Sequence, residues 1–244
     1  MKRVALVTGA SRGIGLATAT RLAKEGYAVA VCYHTSEERA LELVEDLRAK
    51  GCTVAAFLCD VADSASVMAL AHAVKEQLGE VTVLVNNAGI AQQKLFTDLT
   101  PDEWERMISV HLTGTFNTCH AFLPSMIRRH EGVIINVSSM WGQVGGSCEV
   151  HYSAAKAGVI GLTKALAKEV GPSGIRVNCV APGVIHTDMM QGFDDETLHT
   201  LVEETPLMRL GTPADVANVV AFLVSNEASF ITGQVIAPNG GMVI

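Results

Sequence analysis

The sequence has few aromatic and charged residues, and its cysteines show no metal-site spacing. Aromatic residues make up 5% and charged residues 18% of the 244 residues, against 49% hydrophobic residues. This balance excludes an intrinsically disordered chain and predicts a folded protein. The six cysteines form no C-x-x-C pair. We therefore expect no metal site and no disulfide framework, but free thiols in a reducing compartment.

Basic clusters and long apolar runs are also missing. The net charge is −7, and no run of Lys or Arg is longer than two residues. This charge pattern argues against a nucleic-acid partner. No apolar stretch approaches the ~18 residues that a membrane span needs, and the first apolar run is too short for a signal peptide. We predict a cytoplasmic protein with a small-molecule partner, no nucleic acid and no membrane.

Short apolar runs rich in β-branched residues alternate with longer helical patterns along the chain. The predicted strands are residues 4–8, 28–33, 53–59, 81–85, 132–137, 176–181 and 234–237. The predicted helices are residues 15–25, 36–50, 64–79, 101–130, 153–170 and 213–225. Such alternation implies right-handed crossovers and a parallel sheet between two helical layers. We predict a single α/β domain over residues 1–244, a Rossmann-like three-layer α/β/α sandwich.

Residues 186–210 break this alternation. Gly192, Pro206 and weak periodicity predict a mobile loop with a short helix. A loop of this length in a compact α/β domain is usually functional. We therefore predict that residues 186–210 form a lid over the substrate.

A glycine-rich turn follows the first predicted strand, at Thr8-Gly9-Ala10-Ser11-Arg12-Gly13-Ile14-Gly15. Glycines let backbone N–H groups approach a pyrophosphate at a helix N-terminus, where the helix dipole favours anions. The spacing is one residue longer than the usual dinucleotide fingerprint, and a turn selected for strand–helix packing alone is the alternative. The predicted cofactor-binding residues of this turn are Gly9, Ser11, Arg12, Gly13, Ile14 and Gly15.

The second predicted strand ends without a carboxylate until Glu37. An acidic residue at its end would accept a hydrogen bond from the ribose 2′-OH and repel a 2′-phosphate. Because Arg12 can pair with a 2′-phosphate, we predict NADP(H), with added contacts from His34 and Thr35. Asp60 and Val61 are expected near the adenine.

Two other features of these strand ends leave alternatives open. Asp60 is alternatively an N-cap for the following helix, a position that Ser64 can also fill. Asn87, Ala88 and Gly89 follow the fourth strand at the ligand-binding edge of the sheet, where asparagine side chains also brace neighbouring strands.

Tyr152 and Lys156 lie one turn apart if their segment is helical. A free phenol has a pKa of about 10, and an adjacent ammonium stabilises the phenolate and lowers that pKa. Ser139 follows the fifth strand, where its hydroxyl can bind a carbonyl oxygen. Such a Tyr/Lys pair often arises by chance, but its combination with Ser139 and the glycine turn favours catalysis.

Together these motifs resemble the short-chain dehydrogenase/reductase family over the whole chain. The resemblance implies a seven-stranded parallel sheet in the order 3-2-1-4-5-6-7, and homotetramers built through the Tyr152 helix and the last helix. It implies that Tyr152 is the general acid, that Lys156 lowers its pKa and holds the nicotinamide ribose, and that Ser139 orients the substrate carbonyl. The segment implied to contact the cofactor carboxamide contains Pro182, Gly183, Ile185 and Thr187.

One position departs from the family pattern. Many members have an asparagine that holds a water in the proton relay, and His111 stands there in this sequence. A histidine with a pKa near 6.5 can bind water and assist the relay, or it can displace the water. We include His111 among the candidate catalytic residues.

The resemblance points to two substrate classes. The length and cofactor end resemble 3-oxoacyl-[acyl-carrier-protein] reductases. The segment from Ser139 to Tyr152 is closer to elongation factor P 5-aminopentanone reductases, and Glu149 suits an amine-bearing substrate. Trp141 and Glu149 are the candidate substrate residues, although Glu149 alternatively pairs with a surface cation and Trp141 alternatively packs in the core. Either acyl carrier protein or elongation factor P would be the partner.

Two other functions stay open. Dinucleotide-binding folds also serve as non-catalytic NADP(H)-binding sensors or scaffolds, because a fold alone does not fix a function. An NAD-dependent alcohol or hydroxysteroid dehydrogenase is disfavoured by the missing acid after the second strand. The set of Ser139, Tyr152 and Lys156 favours an enzyme, since a sensor has no chemical need for it.

Overall fold

The computed structural model describes residues 3–190 and 194–244. Its centre is a parallel sheet of seven strands in the predicted order, 3-2-1-4-5-6-7. The strands are β1 (Val4–Val7), β2 (Ala28–Tyr33), β3 (Val54–Leu58), β4 (Val81–Asn86), β5 (Gly132–Val137), β6 (Ile175–Val180) and β7 (Val235–Ile236). Their side chains are almost all buried, which explains why the sequence shows continuous apolar runs there.

The helices of the described chain cover both faces of this sheet. They are α1 (Gly13–Lys24), α2 (Glu37–Ala49), α3 (Ser64–Gln77), α4 (Pro101–Ile108), α5 (Gly114–Arg129), α6 (Trp141–Val144), α7 (Val150–Val170), α8 (Asp195–Glu203) and α9 (Pro213–Val224). Helices α1, α2 and α9 share one apolar core with one face of the sheet. Helices α3, α5 and α7 share a second core with the other face.

The predicted helix over residues 101–130 is interrupted in the structure. It starts at Thr100, whose capping box with Glu103 is formed as the sequence predicted. A π-helical turn, Ser109–Thr113, then separates α4 from α5. Turns of this kind occur frequently at functional sites, and this one contains His111. The chain is helical throughout residues 101–129, which confirms the predicted helical stretch. The π-helical turn within it was not predicted, because hydrophobic periodicity does not resolve one inserted residue.

Two boundaries near the predicted catalytic residues also differ from the prediction. Helix α7 begins at Val150 instead of residue 153, and the short helix α6 precedes it. Four residues are too few for hydrophobic periodicity to detect a helix. Because α7 begins before Tyr152, that residue and Lys156 lie in regular helix, as the spacing required.

The predicted lid contains a 3₁₀ turn, Asp188–Met190, and the short helix α8. Gly192, which contributed to that prediction, lies outside the described residues. Within the described residues, no helix is long and apolar enough to cross a membrane.

Candidate active site

The glycine turn after β1 requires its glycines. Gly9 and Gly13 have φ angles of +62° and +54°, in the left-handed region that favours glycine. A Cβ added to Gly15 would clash with the Gly9 carbonyl oxygen and would lie 2.5 Å from Asn87 Nδ2. The turn therefore brings β1, α1 and the loop after β4 into direct backbone contact.

Helix α1 presents an uncapped N-terminus to this turn. Its N-cap residue, Arg12, makes no side-chain cap bond among the described residues, and the first turn contains no acidic residue. By contrast, α4 and α9 both begin with a threonine–carboxylate capping box. The free N–H groups and the helix dipole of α1 fit an anionic phosphate group.

A cavity of about 240 Å³ opens beside this turn, and we name it the turn cavity. The predicted cofactor residues that line it are Gly9, Ser11, Arg12, Gly13, Ile14, His34, Thr35, Asp60, Val61, Asn87, Ala88 and Gly89. Gly15 does not line the turn cavity but packs behind it. The imidazole Nε2 of His34 lies 3.7 Å from Asp60 Oδ2. Residues from the ends of three strands and from the glycine turn thus surround one space.

The capping alternatives for Asp60 and Ser64 were wrong. The N-cap of α3 is Asp63, whose carboxylate accepts a hydrogen bond from the Ala65 N–H at 2.9 Å. Asp60 Oδ1 instead accepts from the Ala62 N–H at 3.0 Å. Asp60 is therefore held in a turn at the wall of the turn cavity.

The two asparagines after β4 have different roles. Asn87 Nδ2 donates to the carbonyl oxygens of Thr8 and Gly9, at 2.9 and 3.1 Å, and braces the glycine turn. Asn86 Nδ2 donates to Asn136 Oδ1 at 2.9 Å, and Asn136 Nδ2 donates to Thr163 Oγ1 at 2.9 Å. This buried chain joins β4, β5 and α7, and thereby fixes the helix that carries Tyr152.

A second cavity, of about 810 Å³, adjoins the turn cavity, and we name it the tyrosine cavity. The two cavities share Ile14, Asn87, Gly89 and Thr187. The other predicted residues that line the tyrosine cavity are His111, Ser139, Trp141, Glu149, Tyr152, Lys156, Pro182, Gly183 and Ile185. The structure therefore brings the candidate catalytic and substrate residues together, next to the predicted cofactor residues.

The pKa of Tyr152 differs from the predicted one. Burial raises the pKa of its phenol to about 12; the hydroxyl of Ser139 lowers this pKa and the carboxylate of Glu149 raises it further. The expected lowering of the Tyr152 pKa by Lys156 was wrong for this structure, because desolvation of the phenolate is the dominant effect. The phenol is consequently protonated at neutral pH.

Lys156 is buried on the same helix. Its Nζ donates to the Val137 carbonyl oxygen at 2.8 Å and lies 5.6 Å from the centroid of the Tyr152 ring. Burial lowers the pKa of Lys156 to about 8. The side chain is thus anchored at the end of β5 with an ammonium that titrates close to physiological pH.

His111 packs against Tyr152 in an edge-to-face arrangement, with ring centroids 5.2 Å apart. Its Nε2 lies 2.8 Å from the Ile90 carbonyl oxygen and 3.1 Å from the Ile90 nitrogen, and its tautomer decides which bond forms. Burial, followed by the charge of Lys156, lowers the pKa of His111 well below its usual range. A pKa near 6.5 was therefore a wrong expectation, and the imidazole is neutral.

One buried atom of His111 has no protein partner. Among the described residues, Nδ1 makes no hydrogen bond. His111 is 3% exposed and lines the tyrosine cavity. A buried nitrogen without a partner carries an energetic cost, so it favours a polar group or water beside it.

The substrate side of the tyrosine cavity carries carboxylates. Glu149 Oε1 accepts from Gln93 Nε2 at 3.2 Å, and burial raises the pKa of Glu149. In the described part of the chain Glu149 forms no ion pair, which contradicts the alternative of a surface cation partner. Asp194, the N-cap of α8, and Gln92 also line this cavity.

The tyrosine cavity is also lined by Gln92, Gln93 and Asp194, which were not predicted from the sequence. The first two lie in the loop after β4, a position that predicts proximity to the ligand edge. Asp194 precedes the short helix of the lid. A capping role alone explains an aspartate at this position, so its sequence position carries no signal for the cavity. Trp141, by contrast, was predicted and begins α6 at the cavity wall.

Comparisons with known proteins cover nearly the entire chain. Residues 9–243 match a family profile described as enoyl-(acyl carrier protein) reductase. The chain is 48% identical over 242 residues to the 3-oxoacyl-[acyl-carrier-protein] reductase FabG of Staphylococcus aureus, covering 99% of this chain and 98% of the relative. It is 41% identical over 243 residues to the FabG of Chlamydia muridarum, with 99% and 98% covered. It is 42% identical over 242 residues to an acetoacetyl-CoA reductase of Shinella zoogloeoides, again with 99% and 98% covered.

Proposed function

Because the chain belongs to the short-chain dehydrogenase/reductase family, we propose that it is an NADPH-dependent oxidoreductase that reduces a ketone to a secondary alcohol. The observation that carries this proposal is the tyrosine cavity, where Tyr152, Ser139 and Lys156 lie beside the glycine turn. The relatives are named as reductases of 3-oxoacyl and acetoacetyl thioesters, and these names support the same reaction class.

In this proposal the turn cavity holds the dinucleotide. The free N–H groups of α1 bind the pyrophosphate, and Arg12, with His34 and Thr35, faces the 2′-phosphate. The absence of a carboxylate at the end of β2 supports NADP(H) over NAD. When bound, the reduced nicotinamide supplies the hydride.

Tyr152 supplies the proton. Its phenol is protonated at neutral pH, so its Oη can donate to a ketone oxygen as that oxygen becomes an alkoxide. The hydroxyl of Ser139 is close enough to influence that phenol and orients the carbonyl. Lys156, anchored on Val137, places its positive charge beside the developing anion and holds the ribose of the cofactor.

His111 has a different role from a charged relay group. Because it is neutral and its Nδ1 has no partner among the described residues, we propose that it offers one hydrogen-bonding site toward the proton path from Lys156. Its other nitrogen fixes the Ile90 backbone, and with it the loop that contains Gly89.

The first substrate candidate is a 3-oxoacyl thioester carried by acyl carrier protein. The relatives named 3-oxoacyl-[acyl-carrier-protein] reductase favour it, and the size of the tyrosine cavity suits a ligand of this kind.

The second candidate is the 5-aminopentanone group on elongation factor P, and a specific observation favours it. The tyrosine cavity exposes the carboxylates of Glu149 and Asp194, whereas its one cationic side chain among the described lining residues is Lys156, which is buried on Val137. A half-buried carboxylate without a cationic partner attracts an ammonium more strongly than it would in water.

Two measurements test these proposals. Steady NADPH oxidation with a small ketone, lost in Tyr152→Phe while cofactor binding is kept, identifies an enzyme; binding without turnover in the wild type identifies a sensor. Turnover of acetoacetyl thioester is then compared with turnover of 5-aminopentanonylated elongation factor P, using Glu149→Gln beside the wild type. A loss confined to the amine-bearing substrate supports the second candidate, and failure on both substrates contradicts both.

We also propose a homotetramer. Apolar side chains on α5 and α7 support this proposal, since Phe116 is 53% and Val150 40% exposed, and Phe222 on α9 is 44% exposed. Large exposed apolar side chains on helix surfaces are candidates for burial in a subunit interface. Light scattering coupled to size exclusion measures the assembly, and a monomeric mass would contradict it.

A further inference from the structure

An ion pair joins α2 to the predicted lid. The guanidinium Nη1 of Arg39, in the first turn of α2, donates to Asp188 Oδ2 at 2.7 Å. Asp188 is the first residue of the 3₁₀ turn in the lid. The two residues are 149 positions apart in the sequence, so the contact depends on the fold.

The described residues in the middle of the lid have few other polar attachments. At its ends, the His186 N–H donates to the Gly211 carbonyl oxygen at 2.8 Å, and the Leu207 N–H donates to the Gly240 carbonyl oxygen at 3.1 Å. Between these anchors, within residues 187–190 and 194–204, the pair with Arg39 is the one side-chain hydrogen bond to an element outside the lid. This ion pair therefore tethers the segment that follows Thr187.

The ion pair also lies at the edge of the turn cavity. Asp188 and Thr187 line that cavity, and so do residues 34–36, which lead into α2. The ion pair of Arg39 thus joins two segments that both line the cavity.

We propose that Arg39 and Asp188 form a latch that slows release of the dinucleotide from the turn cavity; this inference rests on the cofactor in the proposed function. The latch has two physical effects. It holds the start of the lid against α2, and it neutralises a carboxylate that would otherwise repel an anionic cofactor from the cavity wall.

The expected effect is modest, because both side chains are about half-exposed. An exposed ion pair contributes little free energy. We therefore expect its loss to change the rate of cofactor release by about two- to fivefold. The effect also depends on ionic strength, since salt screens exposed charges.

The latch is tested by stopped-flow fluorescence of NADPH release from the full-length protein. We expect Arg39→Gln and Asp188→Asn each to release NADPH about two- to fivefold faster than the wild type. Arg39→Gln should also weaken NADPH affinity, because it leaves the Asp188 carboxylate unpaired, whereas Asp188→Asn should not. The charge-swapped double variant, R39D with D188R, should restore slow release.

The matched control is Lys50→Gln. Lys50 pairs with Asp46 at 2.6 Å at the other end of α2, away from the lid, and its loss should leave release unchanged. Wild-type release rates in both Arg39→Gln and Asp188→Asn, or a swap that releases as fast as the single variants, would overturn the latch. A wild-type protein that binds no NADPH would instead contradict the proposed cofactor.

Discussion

The turn cavity and the tyrosine cavity adjoin each other but depend on different chemical groups. Where the turn cavity meets α1, it depends on backbone: glycines with positive φ, free N–H groups and the uncapped start of α1. The tyrosine cavity is formed by buried ionisable side chains, with the pKa of Tyr152 raised to about 12 and that of Lys156 lowered to about 8. A backbone site follows from residue spacing, whereas a side-chain site depends on desolvation that only the folded structure determines.

The strongest test of the tyrosine cavity is Tyr152→Phe. This change removes one hydroxyl and keeps the ring that packs against His111, so we expect an intact fold and retained NADPH binding. Turnover should fall by about 10²–10⁴-fold, the usual contribution of a general acid. Steady-state NADPH oxidation and a fluorescence titration of NADPH measure the two effects separately; near-normal turnover would contradict the role of Tyr152.

The corresponding test of the turn cavity is Gly15→Ala. The added methyl group would meet the backbone oxygen of Gly9, which cannot move as a flexible side chain does. We expect a loss of stability of about 1–3 kcal/mol from overpacking, together with weaker NADPH binding. Thermal unfolding and NADPH titration measure both quantities.

Gly161→Ala is the matched control for that substitution. At this helical position in α7 an added Cβ meets no described atom within 4 Å. We expect unchanged NADPH binding and a gain of about 0.5–1 kcal/mol in stability, because alanine is the better helix former. Equal losses of stability and NADPH binding in the two variants would show that the clash at Gly15 is not the cause of its effect.

A change in pH should affect turnover, which depends on the tyrosine cavity, more than NADPH affinity, which depends on the turn cavity. Lys156, with a pKa of about 8, loses its positive charge as the pH rises through that value, whereas Tyr152 keeps its proton. We therefore expect kcat/KM for ketone reduction to decrease severalfold above pH 8, while NADPH affinity decreases much less. A profile that rises through pH 8 would contradict this assignment.

The smallest expected effect is that of His111→Asn. The imidazole is neutral, so its replacement removes no charge from the tyrosine cavity. We expect turnover within about tenfold of the wild type, below the contribution of a principal acid–base group. Circular dichroism confirms the fold, and a folded variant without detectable turnover would contradict this expectation.

The family resemblance predicted the sheet order. Local pattern and the meeting of parallel strand ends predicted the glycine turn and many of the residues that line the two cavities. The sequence did not predict the π-helical turn at His111 or the cap of α3 by Asp63. It also gave the wrong direction for the pKa of Tyr152. Spacing placed Lys156 near the phenol, but the cost of burying a phenolate is a property of the packed cavity and has no sequence signature.

Titration of Tyr152 by ¹³C NMR with labelled tyrosine measures directly whether its phenol stays protonated in the tyrosine cavity. The chain has three tyrosines, so Tyr152→Phe assigns the resonance without ambiguity. We expect the Tyr152 ring carbon to keep the chemical shift of a protonated phenol from neutral pH to about pH 10, the value at which a free phenol titrates. A titration midpoint at or below pH 8 would contradict this expectation, because the phenol would then be a base activated by Lys156 and not a buried acid.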